Sequence, residues 1–263
     1  MQAARLVVLT RDRSSYGLRL LEALDAAGLR PAGVVVARDT IARRWRMLRA
    51  VARRIGWAEA LHAAIDAQRT ALPRHRTRHE SLCERVVRVD SFHDPAAIAA
   101  LGALDADWFL LGQPGILKPQ VLALARHGVL NAHPGWLPDY RGLSPATWAL
   151  ASGEPQRLGS TLHLVDAGID TGAIVALRPL ERRDLPPFHA LEARLYDDCI
   201  ALLVDAAARL RRGEVLEGRP QRAEAGRTYS VAPREVRRRA RRAYGSWAAR
   251  AGPHGVPDQP PGW

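Results

Sequence analysis

The stretch LVVLTRDRSSYGLRLLEALDAAGLRPAGVVVA, residues 6–37, sets the fold class of this chain. An apolar run, Leu6–Leu9, is followed by two serines suited to cap a helix and then by leucines at helical spacing. Gly28 ends that segment before a second apolar run, Val34–Val36. A strand, a helix and a second strand in this order form a βαβ unit, and such units build parallel sheets. The opening therefore predicts an α/β protein with a mostly parallel sheet.

The chain up to residue 215 continues this alternation. Further strands are predicted over 86–89, 108–111, 128–132, 160–165 and 173–179, and helices over 95–101, 119–125, 146–152 and 188–211. We expect residues 1–215 to form one Rossmann-like α/β domain. Residues 216–263 are expected to form a small basic C-terminal extension, with a helix over 233–250 and a mobile Pro- and Gly-rich end.

Composition excludes several classes of protein. The 263 residues are 47% hydrophobic and 25% charged, as in a globular chain. The longest apolar runs fall far short of the roughly 20 residues that cross a bilayer, and the N-terminus lacks the apolar core of a signal peptide. We therefore expect a cytoplasmic protein without membrane contact. Cys83 and Cys199 are too few for a disulfide scaffold, and they lie too far from Cys or His pairs for a zinc site.

The net charge of +12 comes almost entirely from arginine, because Lys118 is the only lysine. An Arg-rich stretch over 41–80 is predicted as a long helix followed by an exposed loop at 73–80. Two runs crowd predicted helices: Arg43, Arg44, Arg46, Arg49, Arg53 and Arg54, and later Arg234, Arg237, Arg238, Arg239, Arg241 and Arg242. They are either solvated helix faces or contacts to an anionic partner, and the sequence leaves both open.

Two polar residues mark the end of one predicted strand. Asn131 and His133 are two residues apart, so their side chains point to the same side of the sheet. Pro134 stops the strand after them. In open α/β sheets the carboxyl ends of the strands are where ligands bind. The pattern favours a functional site, although a single Asn or His at a strand end is often a turn residue.

A second candidate segment follows the strand 160–165. The loop Asp166–Gly172 holds two acidic residues and two glycines, which suits a backbone that approaches a ligand while presenting a carboxylate. The alternative is that Asp166 and Asp170 only form Asx turns. His163, within the strand, is interpreted as structural.

These residues carry a resemblance to a known family. The chain contains Asn-x-His-Pro at 131–134, Leu-Pro-x-Tyr-Arg-Gly at 137–142 and Gly-x-Thr-x-His-x-Val-Asp-x-Gly-Ile-Asp-Thr-Gly at 159–172. This order resembles the formyltransferases that use 10-formyltetrahydrofolate, strongly over about 107–180 and more loosely over 5–37. The resemblance implies the formyltransferase fold, 10-formyltetrahydrofolate as formyl donor, no metal, and catalytic roles for Asn131, His133 and Asp170.

The resemblance also implies a folate pocket formed by two segments. The residues concerned are Gly115, Ile116 and Leu117 after one strand, and Val165, Asp166, Ala167, Gly168 and Ile169 after another. Backbone groups would bind the pterin and the two apolar side chains Ile116 and Leu117 would wall it, unless they are ordinary core residues.

The implied chemistry assigns a role to each catalytic residue. Asn131 and a protonated His133 would donate hydrogen bonds to the formyl oxygen as negative charge develops on it. Asp170 would hold His133 in its protonated form and pass the ammonium proton onward through water.

The acceptor is expected to be the amine of a small molecule, such as an amino-sugar nucleotide. Glycinamide ribonucleotide is disfavoured, because Thr10-Arg11-Asp12-Arg13 follows the first strand in place of a Gly-Ser-Asn phosphate loop. A methionyl-tRNA formyltransferase-like enzyme is the alternative. It would lack the full tRNA-binding domain, since only about 45 residues follow Gly218. A formyltetrahydrofolate hydrolase, a catalytically idle binding protein and a homodimeric assembly also stay open.

Overall fold

A computed structural model describes residues 3–61, 64, 76–83, 85–222 and 224–250, with residues 76, 77 and 184 described by their backbone alone. Its centre is a seven-stranded sheet in the order β3-β2-β1-β4-β5-β7-β8. The strands are β1 (Leu6–Arg11), β2 (Gly33–Ala37), β3 (Val86–Val89), β4 (Trp108–Gly112), β5 (Gly128–His133), β7 (Gly159–Leu164) and β8 (Ile174–Pro179). A separate two-stranded sheet joins β6 (Tyr140–Gly142) to β9 (Arg227–Tyr229).

The strand directions confirm the predicted α/β class. The strands β3, β2, β1, β4 and β5 are all parallel to their neighbours. The two later strands reverse this, because β7 pairs antiparallel with β5 and β8 pairs antiparallel with β7. Successive strands are added on one side of β1 up to β3 and on its other side from β4 onward. The carboxyl ends of β1 and β4 therefore border the crevice where α/β sheets bind ligands.

Helices cover both faces of the sheet. They are α1 (Ser15–Ala26), α2 (Ile41–Ile55), α3 (Arg76–Leu82), α4 (Pro95–Gly102), α5 (Pro119–Leu122), α6 (Pro145–Ala151), α7 (Leu191–Arg211) and α8 (Arg234–Ala249). Side chains of β1 alternate between two apolar clusters. Val8 packs with leucines of α1 and α7 on one face, while Val7 and Leu9 pack with residues of α4 and α5 on the other. Ser14 caps α1, its hydroxyl accepting from the N–H of Gly17 at 3.0 Å.

Three predicted boundaries are wrong. The helix expected over 119–125 ends at Leu122, after which the chain continues in tight turns. The helix expected over 188–211 starts with a 3₁₀ turn, Phe188–Ala190, and is α-helical only from Leu191. Part of the exposed loop expected over 73–80 is helical, because α3 begins at Arg76. Positions 62, 63 and 65–75 of the Arg-rich stretch lie outside the described residues.

The segment after residue 215 packs against the rest of the chain. Ala240, Tyr244 and Trp247 of α8 are buried in a cluster with Leu150 and Leu195. The predicted basic helix is therefore confirmed, and its arginines occupy the faces that are not packed. The expected mobile end, residues 251–263, lies outside the described residues, and the boundary at 215/216 stays a prediction.

Within the part of the chain that the structure describes, none of the helices combines the length and apolar character needed to span a bilayer.

Candidate active site

Strand β5 places Asn131 and His133 on one face of the sheet. Leu130 and Ala132, which alternate with them, pack into the apolar cluster on the opposite face. His133 is 4% exposed, whereas Asn131 is half-buried. The strand ends at His133, directly before Pro134, as the sequence predicted.

Asp170, in the loop between β7 and β8, lies beside His133 of β5 and His163 of β7. Its Oδ2 lies 3.5 Å from His133 Nδ1, and its Oδ1 lies 3.5 Å from His163 Nε2. Oδ2 also accepts a hydrogen bond from the N–H of Gly142 at 2.9 Å. The structure therefore brings together the three residues that the motif resemblance implied as catalytic. Asp170 is not a plain Asx-turn residue, unlike Asp166, whose Oδ1 accepts from the N–H of Gly168 and the hydroxyl of Thr171.

His163 belongs to the same cluster, so the structure adds it to the candidate site residues, while the structural role that the sequence favours for it stays a prediction. It lies directly opposite Asn131 across the β5–β7 pair. Its Nδ1 donates to the carbonyl oxygen of Leu164 at 2.7 Å, which leaves Nε2 to accept from Asn131 Nδ2 at 3.1 Å. In the sequence, Thr161, His163 and Val165 share one face of a strand. This spacing identifies His163 as a neighbour of Asn131 only once the register with β5 is known.

Asp170 is a carboxylate at neutral pH. Burial by itself would raise the pKa of Asp170. The imidazole of His163, the nearby His133 and the N–H of Gly142 outweigh burial and lower that pKa to about 2. A carboxyl group with so low a pKa is a poor proton acceptor. What it supplies is a fixed negative charge between two imidazole rings.

The surroundings of His133 disfavour the expected protonated ring. Burial lowers the pKa of His133 below its usual value, even though Asp170 and the Tyr140 carbonyl raise it. Its Nε2 donates to the carbonyl oxygen of Tyr140 at 2.8 Å. Nε2 therefore carries a proton, and the lowered pKa favours the neutral ring before a ligand binds. The sequence did not reveal how completely this ring is buried, so the protonated ring stays a prediction against which burial acts.

The predicted folate segments occupy two loops. Gly115, with φ of 91°, and Ile116 lie in the loop after β4, and Ile116 is 81% exposed. Leu117 follows them, but it is buried in the apolar cluster between the sheet and α5, which favours the core interpretation. Val165 packs against that same cluster, so the two loops share an apolar base. Asp166, Ala167, Gly168 and Ile169 are solvent-accessible, and Ile169 is 48% exposed.

Two arginines flank the first of these loops. A methyl group added at Gly115 would lie 3.3 Å from Arg43 Nη2 and 3.6 Å from Arg11 Nη2. Arg11 donates from Nε to the carbonyl oxygen of Pro114 at 2.7 Å. Burial and the charge of Arg43 lower the pKa of Arg11 to about 10. Arg43 pairs with Asp39 at 2.9 Å, and the positive charge that remains at the rim of the site favours an anionic ligand.

An amide, two imidazoles and a carboxylate on one face of a mostly parallel sheet define an α/β protein equipped to bind a polar ligand and move a proton. Among the described residues, no cluster of three or more His, Cys, Asp or Glu side chains is suited to hold a metal ion.

Comparison with known proteins identifies the family. The formyl transferase family matches residues 4–181. A methionyl-tRNA formyltransferase from Anaeromyxobacter dehalogenans is 32% identical over 212 residues, which cover 80% of this chain and 61% of that protein. The chain therefore spans about three fifths of that relative's length. The chain belongs to the formyl transferase family.

Solved structures agree on the fold. Glycinamide ribonucleotide transformylase 1 from Symbiobacterium toebii has a TM-score of 0.55 at 22% identity, covering 84% of this chain and 93% of that one. An N-formyltransferase from Helicobacter canadensis, in complex with folinic acid and dTDP-3-aminofucose, has a TM-score of 0.50 at 15% identity, covering 89% and 72% of the two chains. The expected formyltransferase fold is confirmed.

Proposed function

We propose that this protein transfers a formyl group from 10-formyltetrahydrofolate to the amine of a small molecule. The observation that carries the proposal is the contact of the Asp170 carboxylate with both His133 and His163, 3.5 Å from each, beside the amide of Asn131. Family membership supports the formyl donor, because the sequence motifs that define the resemblance are the ones that meet at this cluster.

The loops after β4 and β7 fit such a donor. Ile116 and Ile169 expose 81% and 48% of their surface, and a planar pterin or aminobenzoyl ring would cover this apolar surface. When bound, 10-formyltetrahydrofolate supplies a formyl carbon on nitrogen that an uncharged amine can attack.

Asn131 and His133 have different roles in the proposed reaction. One hydrogen of Asn131 Nδ2 is held by His163, and the other is available to donate to the formyl oxygen as negative charge develops on it. Neutral His133 accepts, at Nδ1, the proton that the attacking amine must lose. The fixed charge of Asp170 stabilises the resulting imidazolium, and the proton then leaves with the folate nitrogen. In this scheme the expected proton relay through Asp170 is replaced by a relay through His133, because the pKa of Asp170 is too low.

A small-molecule acceptor is favoured by the rim arginines, which suit the phosphates of a sugar nucleotide. The Helicobacter canadensis protein, crystallised with dTDP-3-aminofucose, has the same fold and supports this acceptor class. A second candidate is an aminoacylated tRNA. It is favoured by the name of the Anaeromyxobacter dehalogenans relative and by the exposed arginines of α2 and α8.

Competition between acceptors tests the proposal. The protein is incubated with 10-formyltetrahydrofolate and either a panel of amines, including amino-sugar nucleotides, or charged initiator tRNA, and formylated products are identified by mass spectrometry. We expect an N-formyl small molecule and weak tRNA binding. Submicromolar tRNA binding at about 200 mM salt, with a log-log salt slope of roughly 0.7 to 0.9 per phosphate, together with formylation of the tRNA, would replace the small-molecule assignment. Free formate as sole product would establish a hydrolase.

A further inference from the structure

Gln221, in the C-terminal segment, contacts the Asp170 loop through its side chain. Its Nε2 donates to the carbonyl oxygens of Asp170, at 3.0 Å, and Gly172, at 2.7 Å. Its Oε1 accepts from Nε and Nη2 of Arg141, at 3.2 and 2.8 Å. One amide therefore links the loop after β7 to strand β6.

These contacts close a ring around Asp170. The N–H of Gly142 holds the Asp170 carboxylate, while Arg141, the residue before Gly142, holds the Asp170 carbonyl through Gln221. Arg141 is 7% exposed, so its charge-assisted bonds to Gln221 are shielded from water. Asp170 has a φ of 52°, in the left-handed region that a non-glycine residue adopts at some cost and keeps only when its surroundings fix it.

The segment that carries Gln221 is itself anchored on both sides of this loop. Arg219 and Ile174 exchange two backbone hydrogen bonds, each 2.8 Å long. Further on, β9 pairs with β6, and the N–H of Arg227 donates to the carbonyl oxygen of Asp139 at 3.1 Å. Gln221 lies between these two anchors, so its amide is held against the Asp170 loop by backbone pairing.

We propose that Gln221 is a positioning residue that sets the conformation of the Asp170 loop, so that the Asp170 carboxylate contacts His133 and His163. The described residues 219–222 and 224–229 then complete the active site, although they lie beyond the residues that the family matches. The inference rests on the proposed function for its catalytic consequence. Its structural part, the effect of Gln221 on the geometry of Asp170, is measurable without any turnover.

Gln221→Met tests this, because methionine keeps the length of the side chain and removes both hydrogen-bonding groups. We expect kcat with the best amine of the panel to fall about 100-fold, as for a catalytic group displaced by about 1 Å. The Kd for folinic acid should change much less than kcat, because Gln221 contacts the carbonyl oxygens of Asp170 and Gly172 and not the proposed folate residues 165–169. Gln156→Met, at an exposed glutamine, is the matched control and should leave kcat unchanged.

Nuclear magnetic resonance of the histidine rings provides a readout that does not depend on activity. We expect the ring signals of His133 and His163 to shift in Gln221→Met and to stay in place in Gln156→Met. If Gln221→Met does not fold, the same measurements are made on Gln221→Glu. This variant keeps an oxygen that accepts from Arg141 and removes the N–H group that donates to the Asp170 carbonyl. Unchanged histidine signals and kcat, or a loss of kcat that only follows a lowered Tm, would overturn the inference. An inactive wild-type protein would overturn the proposed function instead, while the histidine signals would still decide the role of Gln221.

Discussion

At the scale of single residues, the candidate site depends on one carboxylate shared by two imidazoles. Asp170 stays charged because His163, His133 and the N–H of Gly142 together outweigh the effect of its burial. Its charge is fixed before any ligand arrives, and such preorganised charges stabilise a transition state without reorganisation at the moment of reaction. The two histidines bind different partners, so their rings are not interchangeable: His163 contacts Asn131, and His133 contacts the Tyr140 carbonyl.

Asn131→Ala is expected to slow formyl transfer by roughly 100 to 1,000-fold, the usual effect of removing one donor to a developing oxyanion. Folinic acid binding should be unchanged, because the proposed folate loops do not include Asn131. Steady-state kinetics with the acceptor found in the panel, together with calorimetric titration of folinic acid, provides the check. Wild-type turnover in Asn131→Ala would exclude this residue as the oxyanion donor.

His133 should titrate with a midpoint below pH 6.5. Burial is the largest effect on its pKa and lowers it, while Asp170 raises it, so Asp170→Asn should lower the midpoint further. The unfolded chain takes up the proton first as pH falls below about 6.5, so this residue makes the free energy of unfolding decrease with falling pH in that range. The measurement is the ring C–H shift against pH, assigned by its loss in His133→Gln. A midpoint above pH 6.5 in the wild type would contradict the neutral ring assumed in the mechanism.

At the scale of elements, the two Arg-rich helices α2 and α8 differ in how much of their apolar surface packs against the rest of the protein. In Ile41–Ile55, all of which the structure describes, only Ala52 is buried, and Trp45 is 55% exposed. Helix α8 instead inserts Tyr244 and Trp247 into the cluster around Leu150. Truncation after Pro233 would therefore uncover apolar side chains as well as remove arginines, and substitution of individual arginines is the better probe of anion binding.

Trp247→Ala should destabilise the protein by roughly 3 to 5 kcal/mol, as is usual for removal of a buried aromatic side chain. Trp45→Ala should change the free energy of unfolding by less than about 0.5 kcal/mol, because that side chain is largely in solvent. Urea denaturation of both variants measures the difference. Equal effects of the two substitutions would show that α8 does not belong to the core that the structure places around it.

At the scale of the whole molecule, the sequence predicts features that are local and misses those that depend on distant pairing. The βαβ opening follows from spacings within three consecutive elements, and the shared face of Asn131 and His133 follows from the spacing within one strand; the structure has both. His163 was not recognised as a neighbour of Asn131 and Asp170, because the sequence of neither strand reveals the register between β5 and β7. Gln221 was missed as a contact of Asp170 because 51 residues separate them. The burial of His133, which lowers its pKa, could not be predicted because burial is a property of the assembled fold.

The proposed role of the Asp170 carboxylate in formyl transfer is tested most directly by the initial rate of the reaction. This rate is compared between the wild type and Asp170→Asn under identical conditions. Both proteins are mixed with 10-formyltetrahydrofolate and the amine panel, and the N-formyl product is quantified by mass spectrometry. Asp205→Asn, at an exposed carboxylate paired with Arg178, serves as the control. Product is expected from the wild type and from Asp205→Asn, and a rate about 100-fold lower from Asp170→Asn, because the fixed charge that stabilises the His133 imidazolium is lost. Equal rates from the wild type and Asp170→Asn, or no formylated product from the wild type, would contradict the proposed role.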